Sequence, residues 1–299
     1  MSQLTLRVRN LDQVASTNDE VKRALEAGED EGLVVRARVQ TGGYGRQGRT
    51  WVSPEGGLYC SWLLRPEVSV RTLPTLSLVV SMAVRRALVE LSPAAAQVVA
   101  IKWPNDVVLT SVVSRESSVP SAPPIAMDRS MFKKLCGISL EAHAGGVCVG
   151  TGVNVIPPVE RAQVGGRNVP AYVADMVPAL AHKDPARALD SVFDAIATEF
   201  SLLYQRWTRD GFEPLADEYN EHALLSGKRC AWLIERGRLS RKARSRGLIP
   251  SAGSCCATTS AWKTPSLRAK PISRSGIRAG VIAALKMDCS PERTVLGRK

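Results

Sequence analysis

Apolar positions recur along the chain with two periods, which predict short strands and amphipathic helices as far as residue 207. In residues 32–39 apolar and charged side chains alternate, as they do in a strand with one buried face. The predicted strands are residues 32–39, 57–64, 135–142 and 147–155. The predicted helices are residues 16–28, 73–91, around 169–181 and around 186–207. Because strands and helices are mixed without a regular βαβ rhythm, the pattern favours an α+β fold, a mixed β-sheet with helices packed on it.

Two segments lack either period and depart from this regular body. Residues 110–131 are rich in Ser and Pro, which predicts a mobile insertion. Residues 228–299 show no sustained alternation and only one short helical pattern, near residues 277–287. We therefore predict one domain over residues 1–227, followed by an atypical C-terminal segment over residues 228–299 that is poorly ordered or aberrant.

The formal charge of +12 is concentrated in that C-terminal segment. Residues 228–299 hold 17 Lys and Arg against three acidic residues, which gives +14, whereas residues 1–227 hold 23 basic and 25 acidic residues, which gives −2. Such a segment binds nucleic acid or another acidic surface by neutralising phosphates, or it is a solvated or aberrant tail. The charge pattern favours the solvated or aberrant tail.

Composition argues against several classes of protein. No uninterrupted apolar stretch approaches the roughly 20 residues of a membrane helix, and the N-terminus lacks the apolar core of a signal peptide. The 299 residues include seven cysteines without a CxxC pair, and the three histidines have no ligand spacing. We therefore predict a protein of the reducing cytoplasm, without disulfides, a zinc site or a membrane span.

A glycine-rich loop between two predicted strands carries the first candidate chemistry. Residues 41–49 contain G-x-G-x-x-G, but a dinucleotide-binding loop opens a helix, whereas this one leads into a strand. The HRD and DFG sequences of a protein kinase are absent. What remains is an anion site, in which glycine N–H groups, Arg46 and Arg49 face a phosphate and Trp51 offers a flat surface to a ring. The alternative is a solvent-exposed hairpin loop with incidental arginines.

Polar residues at three further places suggest chemistry. In Lys102-Trp-Pro-Asn-Asp106 an amide and a carboxylate follow an apolar run, a combination that holds Mg²⁺ through water, steers an amine, or only caps its own turn. Lys134 enters an apolar strand, where its ammonium reaches a cleft or is solvated beside Lys133. Gly150 and Gly152 lie inside a strand, which predicts close approach of a ligand or a bulge.

The order of these motifs resembles that of the biotin–protein ligase family. The matching motifs are Ser16-Thr17-Asn18, Gln40 with the loop Gly43-Tyr-Gly-Arg-Gln-Gly-Arg49 and Trp51, Lys102-Trp-Pro-Asn-Asp106, Lys134-Leu-Cys-Gly-Ile138 and Gly150-Thr-Gly-Val-Asn154. The resemblance covers roughly residues 10–227. It implies a class II synthetase-like catalytic domain over residues 1–227, which in the family precedes a small SH3-like barrel. It also implies a cytoplasmic, monofunctional ligase without an N-terminal DNA-binding domain.

The resemblance implies that biotin is activated with ATP and Mg²⁺ to biotinyl-5′-AMP and then passed to one lysine of a carboxylase's biotin carrier domain. The residues implied to bind biotin are Ser16, Thr17, Asn18, Gln40, Tyr44, Gly45, Arg46, Lys134, Gly137, Gly150 and Gly152. Those implied to bind the nucleotide are Arg46, Arg49, Trp51, Asn105 and Asn154. Those implied in catalysis are Lys134, Arg46 and Asp106, and Asp106 is also the candidate metal ligand.

The chain departs from the family pattern at three places. Tyr44 stands where the loop usually has Arg, so one anion contact is expected to be missing. Residues 110–131 lengthen a connection that is usually short. Residues 228–299 show none of the barrel's usual motifs, which suggests a change of reading frame or an unrelated replacement. No specific nucleic acid and no membrane are expected as partners, and a homodimer is an option.

Three other functions fit parts of the sequence. A lipoate or octanoate ligase or transferase has a similar fold and is separated by which acid supports pyrophosphate release. A biotin-binding protein of weak catalytic activity would hold biotin without labelling a carrier. A nucleic-acid-binding regulator would lose salt-dependent DNA binding on truncation after Gly227.

Overall fold

The computed structural model describes residues 4–110, 125–127, 132–159, 169–224, 229–233 and 239–244. The strands in these residues are β1 (Arg7–Val14), β2 (Leu33–Gln40), β3 (Gly57–Leu64), β4 (Val99–Lys102), β5 (Asp106–Thr110), β6 (Ile125–Met127), β7 (Phe132–His143), β8 (Gly146–Asn154), β9 (Arg229–Leu233) and β10 (Leu239–Arg244). The helices are α1 (Thr17–Glu26), α2 (Leu76–Leu91), α3 (Ala95–Val98), α4 (Pro178–Ala181), α5 (Pro185–Asp210) and α6 (Ala216–His222). Among the helices of these residues, none has both the length and the apolar character needed to cross a membrane.

Seven of the strands form one mixed sheet in the order β1-β2-β3-β8-β7-β5-β4. The β1–β2 pair is parallel, and every other neighbouring pair in this sheet is antiparallel. Helices α2 and α5 pack on each other and on one face of the sheet, and α1 packs on the other face. The predicted α+β fold, a mixed sheet with helices packed on it, is confirmed.

The two faces of the sheet differ in what they bury. On the face toward α2 and α5, Trp62 of β3 stacks on Phe193 and packs edge-on against Phe200, with ring centroids 5.8 and 5.1 Å apart. On the α1 face Leu63 joins a small apolar cluster, whereas its neighbour Ser61 is polar and fully buried. Because alternate residues of a strand face opposite sides, the same strands close a large apolar core on one face and leave room for a polar site on the other.

The four predicted strands and three of the four predicted helices are confirmed, with ends shifted by a few residues. The helix predicted around 169–181 is wrong, except for the four residues of α4. Val169 O accepts a hydrogen bond from Lys134 N at 2.7 Å, and Ala171 N donates to Lys134 O at 2.9 Å. The start of the segment is therefore extended beside β7, a single 3-10 turn follows at Val173–Asp175, and the apolar residues Ala171 and Val173 fill the core.

Three strands of the sheet were not predicted. β1 is an edge strand whose residues are mostly exposed, and its apolar residues Val8, Leu11 and Val14 are three positions apart, so they do not show the period of two that marks a strand. β4 and β5 have four and five residues on either side of the turn at Trp103–Pro104, and strands this short contain too few residues to show a period.

The predicted insertion and the predicted C-terminal segment lie largely outside the described residues. Of residues 110–131, Thr110 ends β5 and residues 125–127 form β6. Beyond residue 227, β9 and β10 form an antiparallel pair, and β6 joins β9 in parallel to complete a three-stranded sheet. The helical pattern near 277–287 lies outside the described residues. The domain boundary at 227/228, the mobility of the insertion and the replacement of a barrel stay predictions.

An ionic cluster joins the helices on the large core. Arg86 of α2 donates to both carboxylate oxygens of Glu218 at 2.7 and 2.6 Å and to Glu199 of α5 at 3.2 Å. Hydrogen bonding from Arg86 outweighs the cost of burial and lowers the pKa of Glu218 below its ordinary value of 4.5. The carboxylate of Glu218 therefore stabilises the folded chain in its ionised form.

Replacing Glu218 with Gln is expected to lower the free energy of unfolding at pH 7 by about 1 kcal/mol, because Arg86 loses its bidentate partner. Since the folded pKa lies below the unfolded value, this contribution is complete above the unfolded pKa and is lost as the pH falls through the folded pKa. Urea unfolding of both proteins from pH 7 down to pH 3 measures the difference. A difference that stays constant over this range would contradict the assignment.

Candidate functional site

The α1 face of the sheet is lined by small residues on its central strands. Gly137 of β7 is paired with Gly152 of β8, and Ser139 is paired with Gly150. Ser61 of β3 is paired with Gly150 from the other side. Cross-strand partners lie on the same face, so these residues form a continuous surface, the glycine floor, defined here as Ser61, Gly137, Ser139, Gly150 and Gly152.

The start of α1 lies on one part of this floor. Asn18 is buried, and its side chain fits only because Gly150 has none: a Cβ there would lie 2.3 Å from Asn18 Oδ1. Asn18 Nδ2 donates to Ser139 Oγ and to Glu141 Oε1, both at 3.0 Å, and Asn18 Oδ1 lies 2.6 Å from Ser61 Oγ. The carboxamide is thus held in one orientation by the floor and by Glu141 of β7.

Thr17 and Gln40 extend the polar cluster toward the glycine-rich loop. Gln40 Oε1 accepts from Thr17 N at 2.8 Å and from Thr17 Oγ1 at 3.0 Å, and Gln40 Nε2 donates to Ser53 Oγ at 2.9 Å. Ser16 is buried at the N-cap position of α1, and its side chain makes no capping hydrogen bond. Four residues predicted to bind biotin therefore meet at the start of α1, namely Ser16, Thr17, Asn18 and Gln40.

The glycine-rich loop is a folded hairpin, as its position between two strands predicts. Tyr44 bridges Thr50, Gly45 N donates to Arg49 O at 2.8 Å, and Trp51 N donates to Gly43 O at 2.9 Å. A Cβ on Gly43 would lie 2.6 Å from Trp51 O, so glycine is required for the two sides of the hairpin to approach.

The hairpin places the indole of Trp51 flat on the glycine floor. A Cβ on Gly152 would lie 2.7 Å from the indole ring, and one on Gly137 would lie 2.9 Å from it. Lys134 Nζ lies 5.0 Å from the centre of the same ring, at cation–π distance. The paired glycines therefore make room for both a flat ring and an ammonium group.

A β-bulge brings Lys134 to this face. Cys136 pairs with Val107 of β5 and Lys134 pairs with Val108, so that Leu135 is an extra residue in β7. In an unbroken strand, residue 134 would face away from Gly137, because they are an odd number of residues apart. The extra residue reverses the alternation, and a Cβ on Gly137 would lie 2.9 Å from Lys134 Nζ.

The turn between β4 and β5 collects the predicted catalytic groups. Lys134 Nζ lies 2.8 Å from Asp106 Oδ1, and Lys102 Nζ lies 3.9 Å from Asp106 Oδ2. Arg46 Nη1 donates to Asn105 Oδ1 at 3.1 Å, and Asn105 Nδ2 donates to Ile138 O at 2.8 Å. Arg46 and Lys134 thus reach neighbouring residues of one turn from two different elements.

The chain resembles known protein ligases in sequence. The family model described as the biotin/lipoate A/B protein ligase family matches residues 11–154. The biotin–[acetyl-CoA-carboxylase] ligase of Paracoccus denitrificans is 29% identical over 221 residues, which are 71% of this chain and 79% of the relative. The chain is thus similar to the biotin/lipoate A/B protein ligase family over residues 11–154, just under half of its length. The bifunctional ligase/repressor BirA of Bacillus subtilis is 27% identical over 224 residues, or 72% of this chain, and the chain spans 59% of the length of that relative.

Solved structures of biotin protein ligases share the fold of this chain. The biotin protein ligase from Aquifex aeolicus in complex with biotin and ATP superimposes with a TM-score of 0.57 at 24% identity, over 81% of this chain and 89% of that one. The biotin protein ligase from Leishmania major in complex with biotinyl-5-AMP superimposes with a TM-score of 0.54 at 25% identity, over 73% and 81%.

Two of the residues predicted to bind a nucleotide lie at the edge of the cluster. Asn154 Nδ2 donates to Lys134 O at 3.0 Å and so supports the backbone beside the bulge. Arg49 is exposed, and its guanidinium donates to Gln47 Oε1 within the loop at 2.7 Å. Their roles toward a nucleotide stay predictions.

The polar residues that hold Asn18 were missed in the sequence. Ser61 and Ser139 lie among apolar residues of their strands, and a buried serine needs a hydrogen-bond partner. This pattern could have identified both serines from the sequence. Glu141 lies near the end of β7, where a carboxylate is equally compatible with solvent, so its inward contact with Asn18 had no signal in the sequence.

A resident Mg²⁺ does not fit the residues around Asp106. In the described ranges no group of three or more His, Cys, Asp or Glu side chains comes together. Asp106 is a single carboxylate placed beside the ammonium groups of Lys134 and Lys102. Mg²⁺ sites of this kind rely on one or two carboxylates together with substrate phosphates, so no metal is assigned to the protein alone.

The loop also contacts α1 through Tyr44. Lys22 Nζ donates to Tyr44 OH at 2.7 Å and lies 2.8 Å from Asp19 Oδ1, and Tyr44 OH donates to Asp19 Oδ1 at 2.8 Å. Burial alone would lower the pKa of Lys22, but hydrogen bonds with Asp19 and Tyr44 outweigh it and raise that pKa above its ordinary value. Burial raises the pKa of Tyr44 to about 12. At neutral pH the lysine is therefore charged and the phenol is neutral.

Proposed function

We propose that the chain is a biotin–protein ligase, which activates biotin with ATP to biotinyl-5′-AMP and transfers biotin to a lysine of a carboxylase's biotin carrier domain. The observation that carries the proposal is the glycine floor, with the polar cluster around Asn18 on one part and Lys134 on the next. The two contact points, Ser139 and Gly137, are two residues apart along β7, which is about 7 Å. A small acid of about that length would reach from the polar cluster to the Lys134 ammonium.

The polar cluster suits the uncharged head of biotin. A cyclic urea offers two N–H donors and a carbonyl acceptor, and the side chains of Thr17, Asn18 and Ser61 carry both donor and acceptor atoms within a buried setting. Buried polar groups discriminate strongly against a ligand that leaves them unpaired. A lipoyl group, whose ring carries no N–H or carbonyl, would be rejected on this ground.

The cationic groups suit the first half-reaction. A carboxylate oxygen of biotin attacks the α-phosphorus of ATP, the bond to the bridging oxygen breaks, and pyrophosphate leaves. Both reactants are anions, so the barrier falls when fixed cations stabilise the charge that builds up around phosphorus. Lys134, oriented by Asp106, and Arg46, oriented by Asn105, are the cations that we assign to this task.

The second half-reaction uses the same groups. The lysine amine of the carrier attacks the acyl carbon of the mixed anhydride, an amide forms, and AMP leaves as an anion that Lys134 and Arg46 stabilise. Asp106 is the carboxylate nearest to Lys134 and is assigned to receive the proton of the incoming amine. Trp51, Asn105, Asn154 and Arg49 are assigned to the nucleotide, and Mg²⁺ arrives with the triphosphate as part of the substrate.

Labelling of a carrier fragment tests this function. The purified chain, biotin, ATP and Mg²⁺ are incubated with a biotin carrier domain, and with the same domain in which the acceptor lysine is replaced by arginine. ATP-dependent labelling of the first and not of the second is expected. Biotin binding without labelling would leave only a biotin-binding protein, and pyrophosphate release driven by lipoate or octanoate in place of biotin would make the chain a lipoate-type enzyme.

The cellular location and the remaining partners are proposed from the sequence alone. A cytoplasmic site of action, a homodimer and the lack of a specific nucleic-acid partner stay predictions of the sequence. Salt-dependent DNA binding that disappears on truncation after Gly227 would contradict the last of these.

A further inference from the structure

The side chain of Lys22 is the centre of a small ionic cluster between α1 and the glycine-rich loop. Its ammonium nitrogen lies 2.7 Å from Tyr44 OH, 2.8 Å from Asp19 Oδ1 and 3.4 Å from Glu141 Oε2. Each of the three ammonium protons therefore has an acceptor, and the phenol donates its own proton to Asp19. The side chain of Lys22 is only 23% exposed, so these contacts are shielded from water better than those of a surface pair.

The loop is anchored on both sides of the glycine floor. On one side Tyr44 is joined to Lys22 and Asp19 of α1. On the other side Arg46 donates one hydrogen bond to Asn105 in the turn between β4 and β5. Trp51, at the end of the same hairpin, covers the floor between these anchors.

The proposed reaction affects the two contacts of the loop differently. Arg46 has a permanent charge that the proposed function assigns to phosphate, so its bond to the neutral amide of Asn105 is exchanged when an anion arrives. The charged groups around Lys22 are already paired with each other, so a substrate finds no unpaired charge there to bind. The contact at Lys22 therefore persists while the contact at Arg46 changes.

Lys22 is also joined to the floor through a second partner. Glu141, whose Oε2 faces Lys22, accepts from Asn18 Nδ2 through its Oε1 at 3.0 Å. One ammonium group thus contacts both the loop, through Tyr44, and Glu141, the carboxylate that orients the Asn18 carboxamide. Loss of the Lys22 charge would loosen both.

We propose that Lys22 is a positioning residue that holds the glycine-rich loop on α1 through Tyr44, so that the loop stays over the floor when Arg46 leaves Asn105 for the acyl-adenylate. The part of this inference that concerns the adenylate rests on the proposed function. The part that concerns the loop does not, and it is testable without any ligand.

Limited proteolysis of the ligand-free protein tests the loop contact. Trypsin needs an extended segment, so we expect cleavage after Arg46 and Arg49 to require opening of the hairpin, and the rate then follows the population of the open form when closing is fast. Lys22→Met is expected to raise the rate of cleavage at these bonds by about fivefold to tenfold. The fragments are measured by mass spectrometry, with thermal melting as a check of folding.

Matched variants separate the contact from a general effect of losing a lysine. Lys22→Arg retains the charge and is expected to restore most of the protection. Lys183→Met removes an exposed lysine that follows α4 and is expected to leave cleavage at Arg46 and Arg49 unchanged. Tyr44→Phe keeps the ring but removes the hydroxyl, and the double variant Lys22→Met/Tyr44→Phe is expected to open no faster than the more open single variant.

Release of biotinyl-5′-AMP tests the consequence for the reaction. The half-life of the preformed complex is expected to shorten in Lys22→Met by a factor similar to that in proteolysis, with a smaller change in the rate of adenylate formation. Unchanged proteolysis in Lys22→Met, or strictly multiplicative effects in the double variant, would overturn the role of Lys22 whatever the enzyme does. If Lys22→Met is cleaved faster but the unmodified chain forms no adenylate, the proposed function is overturned and the role of Lys22 in holding the loop is retained.

Discussion

Replacing Lys134 with Met is expected to reduce the formation of biotinyl-5′-AMP by at least about 100-fold, because a fixed cation that meets the charge of the transition state is lost. Methionine keeps most of the apolar stem that packs on Gly137 and Trp51. The measurement is pyrophosphate release driven by biotin and ATP, in single-turnover conditions, so that binding and chemistry are separated.

The chain supplies a matched control in the preceding residue. Lys133 is exposed, and Lys133→Met removes the same charge from the same strand without altering the pair formed by Lys134 and Asp106. Adenylate formation in this variant is expected to stay within about twofold of the unmodified chain. Normal adenylate formation in Lys134→Met, with normal thermal stability, would remove Lys134 from the mechanism.

Replacing Gly150 with Ala is expected to weaken biotin binding by at least about tenfold and to lower the free energy of unfolding by about 1–3 kcal/mol, the usual cost of overpacking. The added methyl would lie 2.3 Å from Asn18 Oδ1 and 2.4 Å from Ser139 Oγ. Neither atom yields easily, because Asn18 is held by Ser61 and Glu141 as well. Titration calorimetry with biotin and urea unfolding measure the two effects.

Gly42→Ala is the control for this change. A Cβ on Gly42 would meet nothing nearer than Ala15 O at 3.4 Å, which is an ordinary contact, so stability and biotin affinity are expected to be close to those of the unmodified chain. If Gly150→Ala loses stability but binds biotin normally, the cluster around Asn18 is structural and the biotin pocket lies elsewhere.

Local patterns predicted the elements that carry the candidate site. The apolar stripe of α1 and the alternation in β2 are visible within a few residues of sequence, and both elements form where they are expected. The helix predicted near 169–181 failed because the same apolar spacing serves an extended segment paired beside Lys134. There a contact with β7 outweighed the local preference.

The sequence predicted the types of the candidate residues and their order along the chain, but it did not predict how they come together in space. Arg46 and Lys134 meet at one turn because β4 and β5 pair and β7 lies beside β5, contacts between residues far apart in sequence. Glu141 and Lys22 were missed for the same reason, since each is an ordinary charged residue until the sheet brings Asn18 and Tyr44 to it.

The sequence by itself determined which residues are available: a glycine-rich loop with two arginines, glycines inside the strands, and a lysine in an apolar strand. It also carries the resemblance to a ligase family, since that depends on the order of motifs. Only the tertiary structure decided that Gly137 faces Gly152, that Gly150 makes room for Asn18, and that a bulge at Leu135 turns Lys134 to the α1 face. The physical reason is register: a shift of one residue between strands reverses every side chain, and pairing between distant segments sets that register.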